Sequence, residues 1–218
     1  MRFGSFVCCM LILAAVPAAA QDPVKVAPAN YQVIAENEGV RVLRATLAPG
    51  SQAPTHSHPA HVAVMLTGGT VQMTLPDGKK TDIEAKADQV LLQPAGTHAT
   101  ANPGKSPIEV IVIEMKAAPG SATIPSSRPG MKMTRLLEDA RVEAYRVSLE
   151  GSFQEAPGTT HAYDQVVIPL GPGDVALTMD GKTTSTWKRG DARLIGRGVP
   201  HESKAGKMPG EMIIVAIK

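Results

Sequence analysis

One offset organises this chain. His161 and His201 stand 103 residues after His58 and His98, and the same spacing carries Ala53-Pro54 onto Ala156-Pro157, Gly68 onto Gly171 and Asp88 onto Asp191. It also carries Asp77-Gly78-Lys79 onto Asp180-Gly181-Lys182. The run from Arg141 to Val147 echoes the one at 40–46, and Glu211 to Lys218 echoes Glu109 to Lys116 at a spacing of 102. Scattered residues do not keep a common spacing, whereas a tandem duplication does. The chain therefore holds two copies of one unit, each of about ninety residues, enough for a small sandwich or barrel core.

The unit reads as all-β. Residues 31–48 read as strand, with a β-branched, alternating stretch at Val40 to Leu47 that Ala48-Pro49-Gly50 breaks. Val62 to Leu66, the alternating Val71, Met73 and Leu75, then Val90-Leu91-Leu92 and Ile108 to Ile113 supply further strands. Asp77-Gly78 suits a hairpin turn, and 20 Gly with 18 Pro fit many short strands joined by turns. No stretch beyond residue 20 combines helical length with a 3.6-residue period. The segment Ala117 to Met131 is rich in Pro, Ser and Gly and reads as a linker or extended crossover arm. The expected layout is an N-terminal barrel at 21–116, a linker at 117–132 and a C-terminal barrel at 133–218.

The first twenty residues are expected to be a signal peptide. Met1-Arg2 is a short positive start, Phe6 to Val16 an apolar core too short to span a bilayer, and Ala18-Ala19-Ala20 a cleavage signal. Both cysteines, Cys8 and Cys9, fall inside this segment, so the mature chain would use no disulfide or thiol chemistry. The expected location is periplasmic or secreted, with no membrane association after cleavage. A formal net charge of +2 and an aromatic content of 3% argue against a nucleic-acid partner.

Four of the six histidines lie in the first copy, at His56, His58, His61 and His98. In a strand, His56 and His58 point to the same side. Pro59 can bend the chain so that His61 turns back to that side. His98 follows the turn Pro94-Ala95-Gly96 and is expected on the opposite wall. Neutral imidazoles gathered round one point suit a single divalent transition metal (Fe, Zn, Cu or Ni) and suit Mg or Ca poorly. In the second copy Thr159 stands where His56 did and Asp164 where His61 did, leaving His161, Asp164 and His201. That set has the composition of a two-histidine, one-carboxylate triad. A copy that keeps only hydrogen bonds is the competing reading.

These residues give the chain its resemblance to the cupin superfamily, and the duplication makes it similar to a bicupin. Gly50, His56, His58, His61 and Gly68 fill the first family motif, with His61 in the place of the usual Glu and one to two residues early. Ala87, Pro94-Ala95-Gly96-Thr97-His98 and Asn102 follow the second motif, with Ala87 for Gly and one residue fewer before the His. In the second copy Gly190-Asp191 and Gly198-Val199-Pro200-His201 keep the spacing, with Gly196 in place of Pro.

The resemblance implies two tandem double-stranded β-helix (jelly-roll) barrels with a metal inside the first barrel mouth. His56, His58 and His98 would hold that metal, with His61 as fourth ligand or as catalytic acid/base. The implied function is a metal-dependent oxidoreductase of the dioxygenase type, or an isomerase or lyase, acting on a small oxygenated molecule. The alternative is a non-catalytic periplasmic module that binds a small ligand or metal. A homo-oligomer is compatible with either. An all-imidazole site keeps the full cation charge and makes the ion a stronger Lewis acid. Glu155, Tyr163 and Asp164 belong to the second barrel and read as solvated loop residues.

Overall fold

The computed structural model describes residues 21–118, 120–208 and 210–218. The expected signal peptide, with Cys8 and Cys9, lies outside the described residues. One helical turn, α1 (Pro23–Val26), is capped by Asp22, whose carboxylate accepts from the Val24 amide at 2.9 Å. The first copy then forms β1 (Tyr31–Glu36), β2 (Val40–Leu47), β3 (Gln52–His58), β4 (His61–Met65), β5 (Gly69–Thr74), β6 (Lys80–Ala85), β7 (Val90–Gln93), β8 (Gly96–Ala101) and β9 (Ile108–Met115). The second forms β10 (Met131–Glu138), β11 (Val142–Leu149), β12 (Asp164–Pro169), β13 (Gly173–Met179), β14 (Lys182–Trp187), β15 (Arg193–Ile195), β16 (His201–Ala205) and β17 (Glu211–Ile217). All-β is what the strand patterning predicted.

Each copy packs two antiparallel sheets into a jelly-roll barrel. In the first, β1-β2-β9-β4-β7 lies against β3-β8-β5-β6. In the second, β10-β11-β17-β12-β15 repeats the larger sheet strand for strand, and β14-β13-β16 repeats the smaller one without a partner for β3. Where β3 would lie, the second copy has, among the described residues, only the isolated bridges Gln154↔Lys204 and Thr159↔His201.

The two barrels share a core. On β2, Leu43, Ala45 and Leu47 face the first barrel's interior with Tyr31, Met65, Ile108 and Val112. The other face of the sheet presents Val40, Val42, Val62, Val64, Ile111 and Ile113 to Val142, Ala144, Val166, Ile168, Ile213 and Val215 of the second barrel. Both faces of the large sheets are thus buried, which is why β9 and β17 are almost continuously apolar instead of alternating. Polar contacts close the rim. The Arg189 guanidinium donates to the Leu66 carbonyl at 2.7 Å and the Leu170 carbonyl at 2.5 Å and pairs with Asp88, and Arg44 donates to the Gly190 carbonyl at 2.7 Å.

Three local expectations are revised. The strand expected over 31–48 is a hairpin, because the Asn37 side chain accepts from the Gly39 and Val40 amides at 3.0 and 2.8 Å and turns the chain. The linker expected to end at 132 ends sooner, since β10 begins at Met131. The arm before it is not free of the barrel either: Ile124 is buried in the second barrel's core. At Gly130 the backbone has φ +71° and lies so near Phe153 that a Cβ would meet its Cα at 2.7 Å, so only glycine fits.

Candidate metal centre

The β3 strand carries His56 and His58 on its inward face and pairs antiparallel with β8, placing His56 directly across from His98. His98 is therefore on the neighbouring strand of the same sheet, not on the opposite wall as expected. After His58 the chain bends at Pro59-Ala60 into β4 of the other sheet, and His61 faces the interior from there, across from Glu114 of β9. The change of sheet, more than the bend alone, brings His61 back inward.

Ring centroids lie 4.9 Å apart for His56 and His58, 4.8 Å for His56 and His98, and 5.5 Å for His58 and His98. One nitrogen from each of these three rings lies within 4.8 Å of the others, a spacing a single ion can draw together. His61 is outside this group of three, although its ring is 4.8 Å from that of His58.

Hydrogen bonds orient the rings. His56 Nδ1 donates to the Pro54 carbonyl at 2.7 Å and His61 Nδ1 to the Pro59 carbonyl at 2.9 Å. His58 Nδ1 lies 2.6 Å from Glu114 Oε1. These partners place a proton on Nδ1 in each of the three rings and leave Nε2 as the nitrogen turned toward a metal. Burial lowers the pKa of His56, lowers that of His61 to about 4, and, with repulsion from the neighbouring imidazoles, lowers that of His98 to about 3. They are neutral imidazoles at pH 7. The donor set therefore fits a first-row transition ion.

Sequence reasoning missed the residues that support these rings. Glu114 is 1% exposed. Burial works to raise its pKa, but hydrogen bonds from His58 and Arg41 outweigh that and hold it below the ordinary carboxylate range. Arg41 Nε reaches Glu114 Oε2 at 2.5 Å and its Nη1 reaches Asp22 at 2.7 Å, so α1 is tied to the site through one guanidinium. Tyr31 donates its hydroxyl proton to His56 Nε2 at 3.0 Å, and burial pushes its pKa up to about 12. The one legible signal was Glu114 itself, an acid on the inward parity of a strand whose other inward positions, Ile108, Val110 and Val112, are apolar. Nothing in the sequence pointed to Tyr31.

His58, His61 and His98 line a cavity of about 90 Å³. Its walls are apolar, including Leu47, Met65, Val71, Met73 and Ile83, and its polar side is His58, His61, His98, Gln93 and Thr100. The Thr100 hydroxyl is buried and has no hydrogen-bond partner.

The second barrel differs from expectation. Asp164 does not join His161 and His201. It lies on the outward face of β12 with Val166 and Ile168, and its carboxylate accepts from Asn37 Nδ2 at 2.8 Å, the Arg197 amide at 3.0 Å and Arg197 Nε at 3.1 Å. The cause is a slip of one residue. Val62 pairs with Ile113 as Val166 pairs with Val215, so the structural counterpart of His61 is Gln165. One residue of shift sends a strand side chain to the other face. The carboxylate that does meet the two histidines is Glu155, which with His161 and His201 offers ligand atoms within 4.8 Å of one another. Glu155 and Tyr163 are not solvated: their exposure is low, and Tyr163 stacks on His161 with centroids 5.1 Å apart and an interplanar angle of 9°.

Comparison with known proteins agrees with this architecture. The family model of the cupin domain matches residues 43–114. Salicylate 1,2-dioxygenase from Pseudaminobacter salicylatoxidans superposes with a TM-score of 0.62 at 15% identity, covering 88% of this chain and 78% of that one. A variant of that enzyme in complex with gentisate superposes at 0.60 and 14% identity, covering 84% and 71%. A cupin 2 conserved barrel domain protein from Leptotrichia buccalis gives 0.57 at 15% identity, covering 86% and 88%. No curated protein sequence matches.

Proposed function

We propose, from the premise that this chain is a cupin-fold protein whose N-terminal barrel is a cupin domain, that it is a metal-dependent oxidoreductase of the dioxygenase type acting on a small oxygenated molecule. The observation that carries this reading is the trio His56, His58 and His98, whose ring nitrogens converge within 4.8 Å of one another, with His58 and His98 lining an apolar cavity. The dioxygenase among the structural neighbours supports the reaction class by analogy of fold.

His56, His58 and His98 would hold the ion. When bound, a transition metal there supplies Lewis acidity and open positions for an oxygen-bearing substrate. The remaining work falls to side chains of this chain. His61, neutral and with Nδ1 committed to Pro59, presents Nε2 to the cavity as proton acceptor. It stands where the family's usual site has a carboxylate, so a neutral base replaces an anionic one. Glu114 fixes the His58 ring, and Thr100 lines the cavity beside His98. The cavity volume restricts that substrate to a small one, and the apolar walls keep water from it.

The test is oxygen uptake by the iron-loaded protein against hydroxybenzoates, gentisate and salicylate included, and small diketones. Turnover that requires iron and disappears in His58→Ala supports the enzyme. Tight metal retention without turnover on any of these compounds favours the non-catalytic binding module instead. The reading also holds that residues 1–20 direct export, which fractionation of a C-terminally tagged chain would check.

A further inference from the structure

We infer that the C-terminal barrel carries a second, structural metal site, made by Glu155, His161 and His201 and suited to a first-row divalent ion such as Zn²⁺. This does not rest on the reading of the first barrel, since no residue is shared.

The strongest observation is a pair of orphaned nitrogens. His161 Nε2 and His201 Nε2 are both buried and have no hydrogen-bond partner, and the His201 side chain is fully enclosed. Buried polar atoms are almost always satisfied. His201 Nδ1 donates to the Val199 carbonyl at 3.0 Å, so its Nε2 carries a free lone pair. The Glu155 carboxylate lies between the two rings, with Oε1 3.6 Å from His161 Nε2 and Oε2 3.6 Å from His201 Nε2. Those gaps are too long for hydrogen bonds. They are close to the separation of about 3.4 Å expected between two ligands that each sit about 2.1 Å from a tetrahedral ion. Arg128 also approaches Glu155 Oε1, at 3.6 Å, and donates to the Tyr163 hydroxyl, anchoring the carboxylate and the ring on which His161 stacks.

The barrel interior beside the site is filled by Phe153 and Trp187 and leaves about 30 Å³, the space of a single water. What an ion would do there follows from topology. Glu155 and His161 lie on the irregular segment that stands where the first copy has β3, whereas His201 starts β16. A bound ion clamps that segment to the sheet in place of the missing strand ladder. Of the three ligands only Glu155 has no counterpart in the first barrel: Gln52 occupies the matching position at the 103-residue spacing, whereas His161 and His201 match His58 and His98.

Co²⁺ titration of the metal-free full chain, followed by its visible absorption and by elemental analysis, tests the site. The expected result is two equivalents in the unaltered chain. Glu155→Gln and His201→Gln should each reduce this to one, and His56→Ala/His58→Ala should retain one. Limited proteolysis should cut within residues 150–163 faster after chelation in the His56→Ala/His58→Ala chain. The inference is overturned if Glu155→Gln and His201→Gln, folded by circular dichroism, bind as many ions as the unaltered chain. A stoichiometry of one that Glu155→Gln does not change overturns it equally.

Discussion

His58 and Glu114 are joined by one hydrogen bond of 2.6 Å, between a ring nitrogen and a carboxylate that are both almost fully buried. The carboxylate orients the ring, so the pair would tune a bound metal that Glu114 itself does not ligate. Glu114→Gln keeps the shape and loses the charge. Metal affinity should fall by about 10–100-fold, measured by competition with a chromogenic chelator, while His58→Ala should fall further. Equal affinity in Glu114→Gln and the unaltered chain would dismiss the relay.

Tyr31 competes with the ion. Its hydroxyl donates to the Nε2 lone pair of His56, and Nδ1 of that ring is already committed to Pro54. Loading must therefore break the tyrosine hydrogen bond, worth about 1 kcal/mol net. Tyr31→Phe should tighten metal binding by about fivefold, read by isothermal titration of the metal-free protein. Weaker binding would mean that the hydroxyl supports the bound ion.

The metal-free protein should lose stability in acid. His61 and His98 have folded pKa values of about 4 and about 3, below the 6.5 of a free imidazole. Between those limits the unfolded chain binds more protons than the folded one, so stability is full above about pH 6.5 and declines as pH falls. Glu114, with its lowered pKa, acts in the same direction at the lower end of the window. Each histidine contributes a slope of up to about 1.4 kcal/mol per pH unit. Urea denaturation from pH 8 to 4 should show this decline, and His98→Gln should flatten it. An unchanged slope in His98→Gln would refute the assignment.

The shared core should make the barrels unfold together. Ile113 is fully buried in the cluster that contains Val166 and Val215 of the other copy. Ile113→Ala should cost about 2–5 kcal/mol and leave a single denaturation transition followed by Trp187 fluorescence and by far-UV circular dichroism. Trp187 lies in the second barrel, so a fluorescence midpoint unmoved by a first-barrel substitution would show the two unfolding separately.

The sequence by itself determined the duplicated β-unit and the histidine set, because these are written in spacing: alternation within strands, turn residues between them, and ligand types repeated at one offset; the jelly-roll class came from the resemblance to the cupin superfamily. Asp77-Gly78 was legible as a hairpin for that reason and Asp180-Gly181 as its repeat, and both glycines take positive φ. Tertiary structure decided what depends on register and on which strands become neighbours. A slip of one residue turned Asp164 away from His161 and His201, and β3–β8 pairing put His98 beside His56. Glu114, Tyr31 and Glu155 reach their histidines across 56, 25 and 6 or more residues of chain, and no local pattern encodes such meetings. They arise because closing a sheet into a barrel points every second side chain at one interior, whatever its distance in sequence.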